Sequence, residues 1–330
     1  MSETGDFTPA HWGGTGHDFK SAYRAYDAHA GRSYASAKSA GKKLTDMLPK
    51  RLSTDSPSPL VMCIDETGSM GEWPKVMFSK LPYLELEGQE YLGKEMEIAW
   101  CAFGDALNNE DYPVQARPFT KGTALKERLK EIVLEGKGGG QMSESSELLA
   151  LYLAHNVAMP HAVRPVCIFV TDEKPWDAVA PDVAEQFAYV KIEKRITAQK
   201  IFEELSKKFS VYVILKPYNV GAKDSDAVNR DVHQTWTTLV GADRVAFLPD
   251  PQRVVDVIFG ILAKETGRIT YFKDELEARQ LPDKDGKSKI DTVYKSLKTV
   301  HALPGPTPND GKGHSKTKGL GGGTKTKPLM

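Results

Sequence analysis

The chain has no excess of either charge sign and no long apolar run. Its 330 residues include 44 basic and 44 acidic side chains, so the formal net charge is zero. A balanced chain has no overall field that would make nucleic acid or an acidic membrane the default partner. No apolar run approaches the roughly 18 residues that span a bilayer, and the N-terminus MSETGDFTPAHW lacks the basic and then apolar order of a signal peptide. These absences predict a cytoplasmic protein that binds neither nucleic acid nor membrane.

Cysteine is also scarce. Cys63, Cys101 and Cys167 each lie in an apolar segment, and none belongs to a CxxC pair. An odd number of widely spaced cysteines in apolar segments is typical of small buried side chains in strands. The sequence therefore predicts neither a disulfide framework nor a zinc site.

Apolar segments alternate with helical patterns between residues 59 and 267. The strand candidates are PLVMCID, EMEIAWCAFGD, VQARPF, VRPVCIFVTD, SVYVILKP and RVAFLPD, and the helix candidates lie near 74–90, 124–134, 143–158, 182–208 and 251–266. Near-continuous apolar strands separated by helices indicate a mostly parallel sheet that is covered on both faces. The predicted fold class is α/β, a doubly wound sheet with helices on both faces.

Two segments of different composition flank this region. Residues 1–58 form an N-terminal arm, in which Phe19, Tyr23 and Tyr26 have helical spacing, followed by the linker STDSPSP. This aromatic stripe is interpreted as a helix that docks on the main domain, or else as a helix that binds a partner. Residues 268–330 form a C-terminal extension that is rich in Gly, Lys and Thr and is predicted to be disordered from about residue 304.

Oxygen-bearing side chains follow two of the predicted strands. The first strand ends in DETGS, with Asp65, Thr67 and Ser69, and VRPVCIFVT is followed by Asp172. Each group taken alone fits an ordinary turn or helix cap. Together they would meet at the carboxyl edge of a parallel sheet, where ligands bind in this fold class. A set of oxygen donors with two carboxylates suits a hard cation such as Mg²⁺ or Mn²⁺.

The loop EGKGGGQMSES lies between these segments and opens a predicted helix. Gly138–Gly140 allow close backbone approach to a ligand, and Gln141 or Ser143 would add a neutral oxygen. This arrangement of three loops resembles the metal-ion-dependent adhesion site of von Willebrand factor A domains. The resemblance covers about residues 59–267, and the segments DETGSMGEWPKV and GGGQMSESSELLALYLAH are similar to bacterial or phage members of that superfamily.

The resemblance implies a Rossmann-like fold and a specific set of ligands. Thr67 stands where serine is commoner, and Gln141 stands where the family usually has a threonine. The metal-ligand candidates are therefore Asp65, Thr67, Ser69, Gln141, Ser143 and Asp172. The residues expected to surround the site and contact a partner are Glu66, Trp73, Glu173 and Trp176.

The sequence predicts a non-enzymatic, metal-dependent module that binds an acidic residue of a protein partner. The resemblance implies that a MoxR-type AAA+ ATPase or a multi-protein assembly is a plausible partner. One alternative is a structural, virion or scaffold component that keeps the fold. A second is a phosphotransferase of the haloacid dehalogenase type, but Thr67 occupies the place of the second acid that this chemistry needs. A dinucleotide site is disfavoured because GxGxxG is absent from the first turn.

Overall fold

A computed structural model of the chain describes residues 33–71, 73–108, 110–135, 143–218 and 225–300. The aromatic stripe at Phe19, Tyr23 and Tyr26, the Gly138–Gly140 loop with Gln141, and the tail beyond residue 304 lie outside the described residues. The strands of the main sheet are β1 Pro59–Asp65, β2 Glu97–Phe103, β3 Val114–Ala116, β4 Val166–Thr171, β5 Ser210–Leu215 and β6 Val245–Phe247. The helices are α1 Tyr34–Ser39, α2 Leu44–Met47, α3 Trp73–Lys80, α4 Leu84–Leu92, α5 Ala124–Lys130, α6 Ser146–Asn156, α7 Pro181–Phe187, α8 Ala198–Ser206, α9 Ser225–Val240, α10 Val254–Thr266, α11 Ile269–Gln280 and α12 Gly286–Ser296.

The six strands form one sheet in the order β6-β5-β4-β1-β2-β3. All neighbouring pairs are parallel except β2 and β3, which are antiparallel. The chain runs from β1 to β2 and β3 on one side, and returns to β4 on the other side of β1. The predicted α/β class with a mostly parallel central sheet flanked by helices is confirmed.

Helices cover both faces of the sheet. Side chains alternate along β1, so that Leu60, Met62 and Ile64 join one apolar core while Val61 and Cys63 join the other. The first core is closed by α3, α4, α10, α11 and α12, and the second by α6, α8 and α9. No helix in the described ranges is long and apolar enough to cross a membrane.

The three cysteines are free and buried, as predicted. Cys63 lies opposite Cys101 in the register of β1 and β2. The Sγ atoms of Cys63 and Cys167, on the adjacent strands β1 and β4, are 3.7 Å apart. Burial raises the pKa of the Cys63 thiol well above its ordinary value, so this side chain behaves as a small apolar group.

The helices differ from the sequence-based prediction in several places, of which the segments 182–208 and 225–240 are two. The single helix predicted near 182–208 is divided into α7 and α8, because Tyr189 adopts a positive φ of 54° and Ile196–Thr197 pairs with Ala178–Val179 as a short antiparallel ribbon. Helix α9 was not predicted, since its Val and Thr content gives a weak helical signal. Burial of Val232 and Trp236 against the second core holds α9 in place.

The described parts of both flanking segments pack on the sheet layers. Leu48 and Leu52 join the second core, and α1 and α2 contribute to a small cluster with Tyr112 and Val133. On the opposite face, α11 and α12 bury apolar side chains in the first core, namely Phe272, Leu276, Ile290 and Val293. The boundaries predicted at 58 and 268 thus fall within segments that share a core with the sheet.

Candidate functional site: a cation site at the carboxyl edge of the sheet

The carboxyl end of β1 carries a tight cluster of hydrogen-bonded oxygens. Asp65 is the last residue of β1 and is completely buried. Its Oδ1 accepts hydrogen bonds from the Thr67 backbone N–H at 3.0 Å and from the Thr67 hydroxyl at 2.6 Å. A side-chain oxygen that binds the backbone two residues ahead stabilises a turn. The turn residues of DETGS therefore shape the loop and keep two hydroxyls beside the carboxylate.

The neighbouring strand β4 completes the cluster. The Thr171 hydroxyl at the end of β4 donates to Asp65 Oδ2 at 2.7 Å. Asp172 is completely buried, and its Oδ1 accepts from the Ser69 hydroxyl at 2.9 Å. The Ser69 and Thr67 hydroxyl oxygens are 3.0 Å apart. A row of closely spaced oxygens thus runs from Asp65 through Thr67 and Ser69 to Asp172, in which each hydroxyl donates its one proton to a carboxylate.

The position of this cluster follows from the sheet order. Strands β1 and β4 are adjacent and parallel, with Ile64 opposite Val170, so their carboxyl ends lie side by side. The chain reverses its winding direction between these two strands. Ligands of open α/β sheets bind at such a reversal point.

The third predicted loop is described only from residue 143 onward. Gln141 lies outside the described residues, whereas Ser143 is buried and pairs with Lys174 in a short parallel strand pair. Ser145 lies just ahead of α6, and its hydroxyl accepts a hydrogen bond from the Ala106 backbone N–H at 2.9 Å. The loop therefore runs beside the ends of β2 and β4.

Two buried carboxyl groups dominate the electrostatics of the cluster. Burial raises the pKa of Asp65 to about 7, and the nearby Asp172 carboxylate adds to the rise. Two carboxylates at this depth are unfavourable unless a positive charge or hydrogen bonds compensate them. Lys216 supplies one such charge, because its Nζ lies 2.6 Å from Asp172 Oδ2. The Lys216 ammonium group therefore compensates the charge of one of the two carboxylates.

Further acidic side chains, namely Asp105, Glu144 and Glu147, surround the cluster. The sequence analysis identified none of these three residues, and it did not identify Lys216. Burial raises the pKa of Glu144 to about 11, with Asp65 the largest neighbouring contribution. Burial likewise raises the pKa of Glu173 to about 8, and Asp172 adds to it. Glu144, Glu173 and Asp105 each have one carboxylate oxygen that is buried without a hydrogen-bond partner. The sequence does contain a signal for two of these residues, because Asp105 lies at the end of a predicted strand and Glu144 lies at the start of a predicted helix. Sequence position alone does not show that these two segments meet in the fold.

No three His, Cys, Asp or Glu side chains converge as metal ligands anywhere in the described part of the chain. The predicted donor set contains only two carboxylates, and hydroxyl oxygens supply the rest. This composition fits a cation that keeps several water ligands, as Mg²⁺ does.

The structure corrects three of the residues expected to contact a partner. Glu66 is 1% exposed, and its Oε1 accepts from the Tyr34 hydroxyl and from Gln115 Nε2, both at 2.6 Å. Trp73 is 5% exposed because α3 begins there and turns the indole into the first core. Glu173 is 3% exposed. These side chains lie beneath the loops and are not on the outer surface.

Trp176 is half-buried beside the site. Its indole N–H donates to Asp105 Oδ1 at 3.0 Å, and its backbone N–H donates to Glu147 Oε2 at 3.1 Å. Trp176 therefore contacts one buried carboxyl through its indole and another through its backbone, and its side chain is only partly buried.

No family model matches the chain, and no curated protein matches it. Among solved structures, the pilus adhesin SpaC from Lactobacillus rhamnosus GG, in an open conformation, gives a TM-score of 0.42 at 9% identity, covering 67% of this chain and 30% of that chain. A second structure of the same adhesin gives 0.39 at 9% identity, covering 67% and 31%. This chain thus spans less than a third of the adhesin's length. Similarities at this level carry no argument about fold family or function.

Proposed function

We propose that this chain is a non-enzymatic protein-interaction module with a von Willebrand factor A type fold, which binds a partner through a divalent metal. The observation that carries the proposal is the row of closely spaced oxygens from Asp65 through Thr67 and Ser69 to Asp172, in which each hydroxyl donates to a carboxylate. These four side chains lie where the carboxyl ends of the adjacent parallel strands β1 and β4 meet, at the point where the chain reverses its winding direction.

The residues fit Mg²⁺ or Mn²⁺. Asp65 and Asp172 would balance the charge of the ion, the hydroxyls of Thr67 and Ser69 would add neutral donors, and Ser143 or Gln141 is the candidate from the third loop. The ion, when bound, supplies a coordination position for a carboxylate oxygen of the partner. Hard oxygen donors in small number match the preference of Mg²⁺ for sites that retain water.

The chemistry of a phosphotransferase is not supported by the same residues. A haloacid dehalogenase type mechanism needs a second acid two residues after the first, and this position holds the hydroxyl of Thr67, which donates to Asp65. A structural or scaffold role that does not use metal is the second candidate. The buried Lys216–Asp172 pair favours that candidate, because it compensates one carboxylate without any metal.

The partner is proposed to be a protein that presents an acidic residue, such as a MoxR-type AAA+ ATPase or a component of a larger assembly. Buried Glu66 and Glu173 do not project toward such a partner. Half-buried Trp176 remains available to contact it.

The test is a thermal unfolding titration with Mg²⁺ and Mn²⁺. An ion that binds only the folded state stabilises it by about 2.7 kcal/mol at a hundredfold excess over its dissociation constant. We expect the melting temperature of the wild type to rise with ion concentration, and Asp65→Ala to remove the rise. The matched control is Asp111→Ala, because Asp111 is an exposed aspartate that pairs with Lys38.

The same variants separate the metal-dependent role from the metal-free one. Affinity capture from an extract is compared in Mg²⁺ and in EDTA, and we expect partners that are lost both in EDTA and with Asp65→Ala. Identical ion titrations for wild type and Asp65→Ala would rule out the metal site. Capture that persists in EDTA would favour the scaffold role.

A further inference from the structure

Lys216 lies immediately after β5 and reaches back to the cation site. Its backbone N–H donates to the Thr171 carbonyl at 2.9 Å, which continues the pairing of β5 with β4. Its Nζ donates to Asp172 Oδ2 at 2.6 Å and to the Ser69 carbonyl at 2.8 Å. Lys216 therefore joins the same two strand ends that the proposed metal would join.

This contact is largely shielded from water. The Asp172 side chain is completely buried, and the Lys216 side chain is 14% exposed. Lys216 is the only basic side chain that the described residues bring within salt-bridge distance of Asp65 or Asp172. Charges at this depth are weakly screened by salt, so the effect of Lys216 on a second cation persists at ordinary ionic strength.

Both carboxylate oxygens of Asp172 are already engaged. Oδ1 accepts from the Ser69 hydroxyl, and Oδ2 accepts from Lys216. A metal that uses Asp172 must share the carboxylate with the ammonium group or displace it. Either route is less favourable than binding to an unoccupied carboxylate, because like charges repel at short range.

Lys216 also changes the net charge of the proposed metal site. Asp65, Asp172 and Lys216 together carry one net negative charge when all three are ionised. A divalent cation would then leave one net positive charge at the site. A carboxylate ligand neutralises that charge, whereas a site without Lys216 would already be neutral before the ligand arrives.

We propose that Lys216 is a specificity-determining residue, which weakens the binding of metal alone and makes the metal-loaded site favour a carboxylate ligand. This inference rests on the proposed function, because it assumes that a divalent cation binds at Asp65 and Asp172. Metal and carboxylate binding are thereby coupled, so that each strengthens the other.

The test measures Mn²⁺ binding by calorimetry in the full chain. We expect Lys216→Gln to bind Mn²⁺ about tenfold or more tightly than the wild type, since the competing charge is gone. Lys216→Arg retains the charge and should stay within about twofold of the wild type. The matched control is Lys121→Gln, which removes a lysine that pairs with Glu95 at the surface and should also stay within about twofold of the wild type.

Acetate, as a minimal carboxylate, tests the second half of the proposal. Mn²⁺ affinity is measured with and without acetate, and Asp65→Ala corrects for acetate binding to free metal. We expect acetate to strengthen Mn²⁺ binding to the wild type, and to strengthen it less in Lys216→Gln.

The outcomes separate the two proposals. Mn²⁺ binding by the wild type with equal or weaker binding by Lys216→Gln overturns the role of Lys216 and leaves the proposed function standing. Absence of Mn²⁺ binding in both proteins removes the proposed function and this inference with it. Lys216→Met serves as a second neutral variant, and failure of both neutral variants to fold would mean that Lys216 is structural, which also overturns the inference.

Discussion

Buried carboxyl groups dominate the chemistry of this protein at the scale of single residues. Glu144, Glu173 and Asp105 each keep a buried oxygen without a hydrogen-bond partner near the ends of β1, β2 and β4. Burial is the largest cause of the raised pKa of both Glu144 and Glu173. In the metal-free protein such groups hold protons that the unfolded chain would release, and this makes stability depend on pH.

Glu147 offers the cleanest measurement of this effect, because it is not among the proposed metal ligands. Burial raises the pKa of its carboxyl well above the ordinary 4.5. The folded state therefore binds more protons than the unfolded state above about pH 4.5, and stability falls as pH rises through the folded pKa. Glutamine does not titrate, so the stability of Glu147→Gln relative to the wild type should increase from pH 5 to pH 8.

The measurement is urea unfolding in EDTA across this pH range. Glu127→Gln is the control, since the Glu127 side chain is 66% exposed and pairs with Lys130 at the surface. A constant difference between Glu147→Gln and the wild type from low to high pH would show that Glu147 remains ionised in the folded protein.

Among the secondary-structure elements, helix α1 connects the N-terminal arm to the sheet, because it places the Tyr34 hydroxyl against the buried Glu66 carboxyl. Ser33 caps α1 by accepting from the Ser36 N–H. The Tyr34 hydroxyl lies 2.6 Å from Glu66 Oε1 and 2.7 Å from the Tyr112 carbonyl. One short helix thus links the arm to β1 through a buried polar contact.

Removing this hydroxyl tests that link. Tyr34→Phe leaves Glu66 with Gln115 as its remaining side-chain donor, so we expect a loss of about 1–3 kcal/mol in the free energy of unfolding. Tyr294→Phe is the control, because its hydroxyl makes a solvent-exposed contact with Glu277 at 3.4 Å, and it should change stability by less than about 0.5 kcal/mol. Equal effects of the two substitutions in denaturant unfolding would mean that the arm is not held by Tyr34.

In the molecule as a whole, the sheet and the C-terminal helices α11 and α12 share one hydrophobic core. Phe272 of α11 and Val293 of α12 are fully buried in the same core as Leu60 and Ile64 of β1. Gly286, at the start of α12, has no room for a side chain, because a Cβ there would lie 1.9 Å from the Gln280 carbonyl oxygen. The close approach of α11 and α12 therefore requires glycine at this position.

A substitution in α11 should therefore destabilise the entire structure. We expect Phe272→Ala to lower the free energy of unfolding by about 3–5 kcal/mol, with tryptophan fluorescence and far-UV circular dichroism reporting one coincident transition. Exposed Lys273→Ala on the same helix is the control and should change stability by less than about 0.5 kcal/mol. A separate early transition in Phe272→Ala, with the tryptophan signal unchanged, would show that the extension unfolds independently of the sheet.

The proximity of four oxygen-bearing side chains was predictable from residue order. Asp65, Thr67, Ser69 and Asp172 follow apolar strands, and parallel strands place their carboxyl ends at one edge. Trp73 was misplaced because a tryptophan after a strand gives no indication of which way α3 turns it. The break between α7 and α8 was missed because it depends on pairing of Ile196–Thr197 with Ala178–Val179, a contact outside any local window.

Local sequence predicts which segments become strands and which oxygen-bearing side chains follow them, because apolar runs and turn residues act over a few neighbouring positions. The order β6-β5-β4-β1-β2-β3 does not follow from such local patterns. That order depends on backbone hydrogen bonds and packing between segments distant in sequence. It places Lys216 of the segment after β5 against Asp172 after β4, and it brings Glu144 close enough to Asp65 to raise the pKa of Glu144. The charge of the site is therefore a property of the fold, whereas its donor atoms can be read in the sequence.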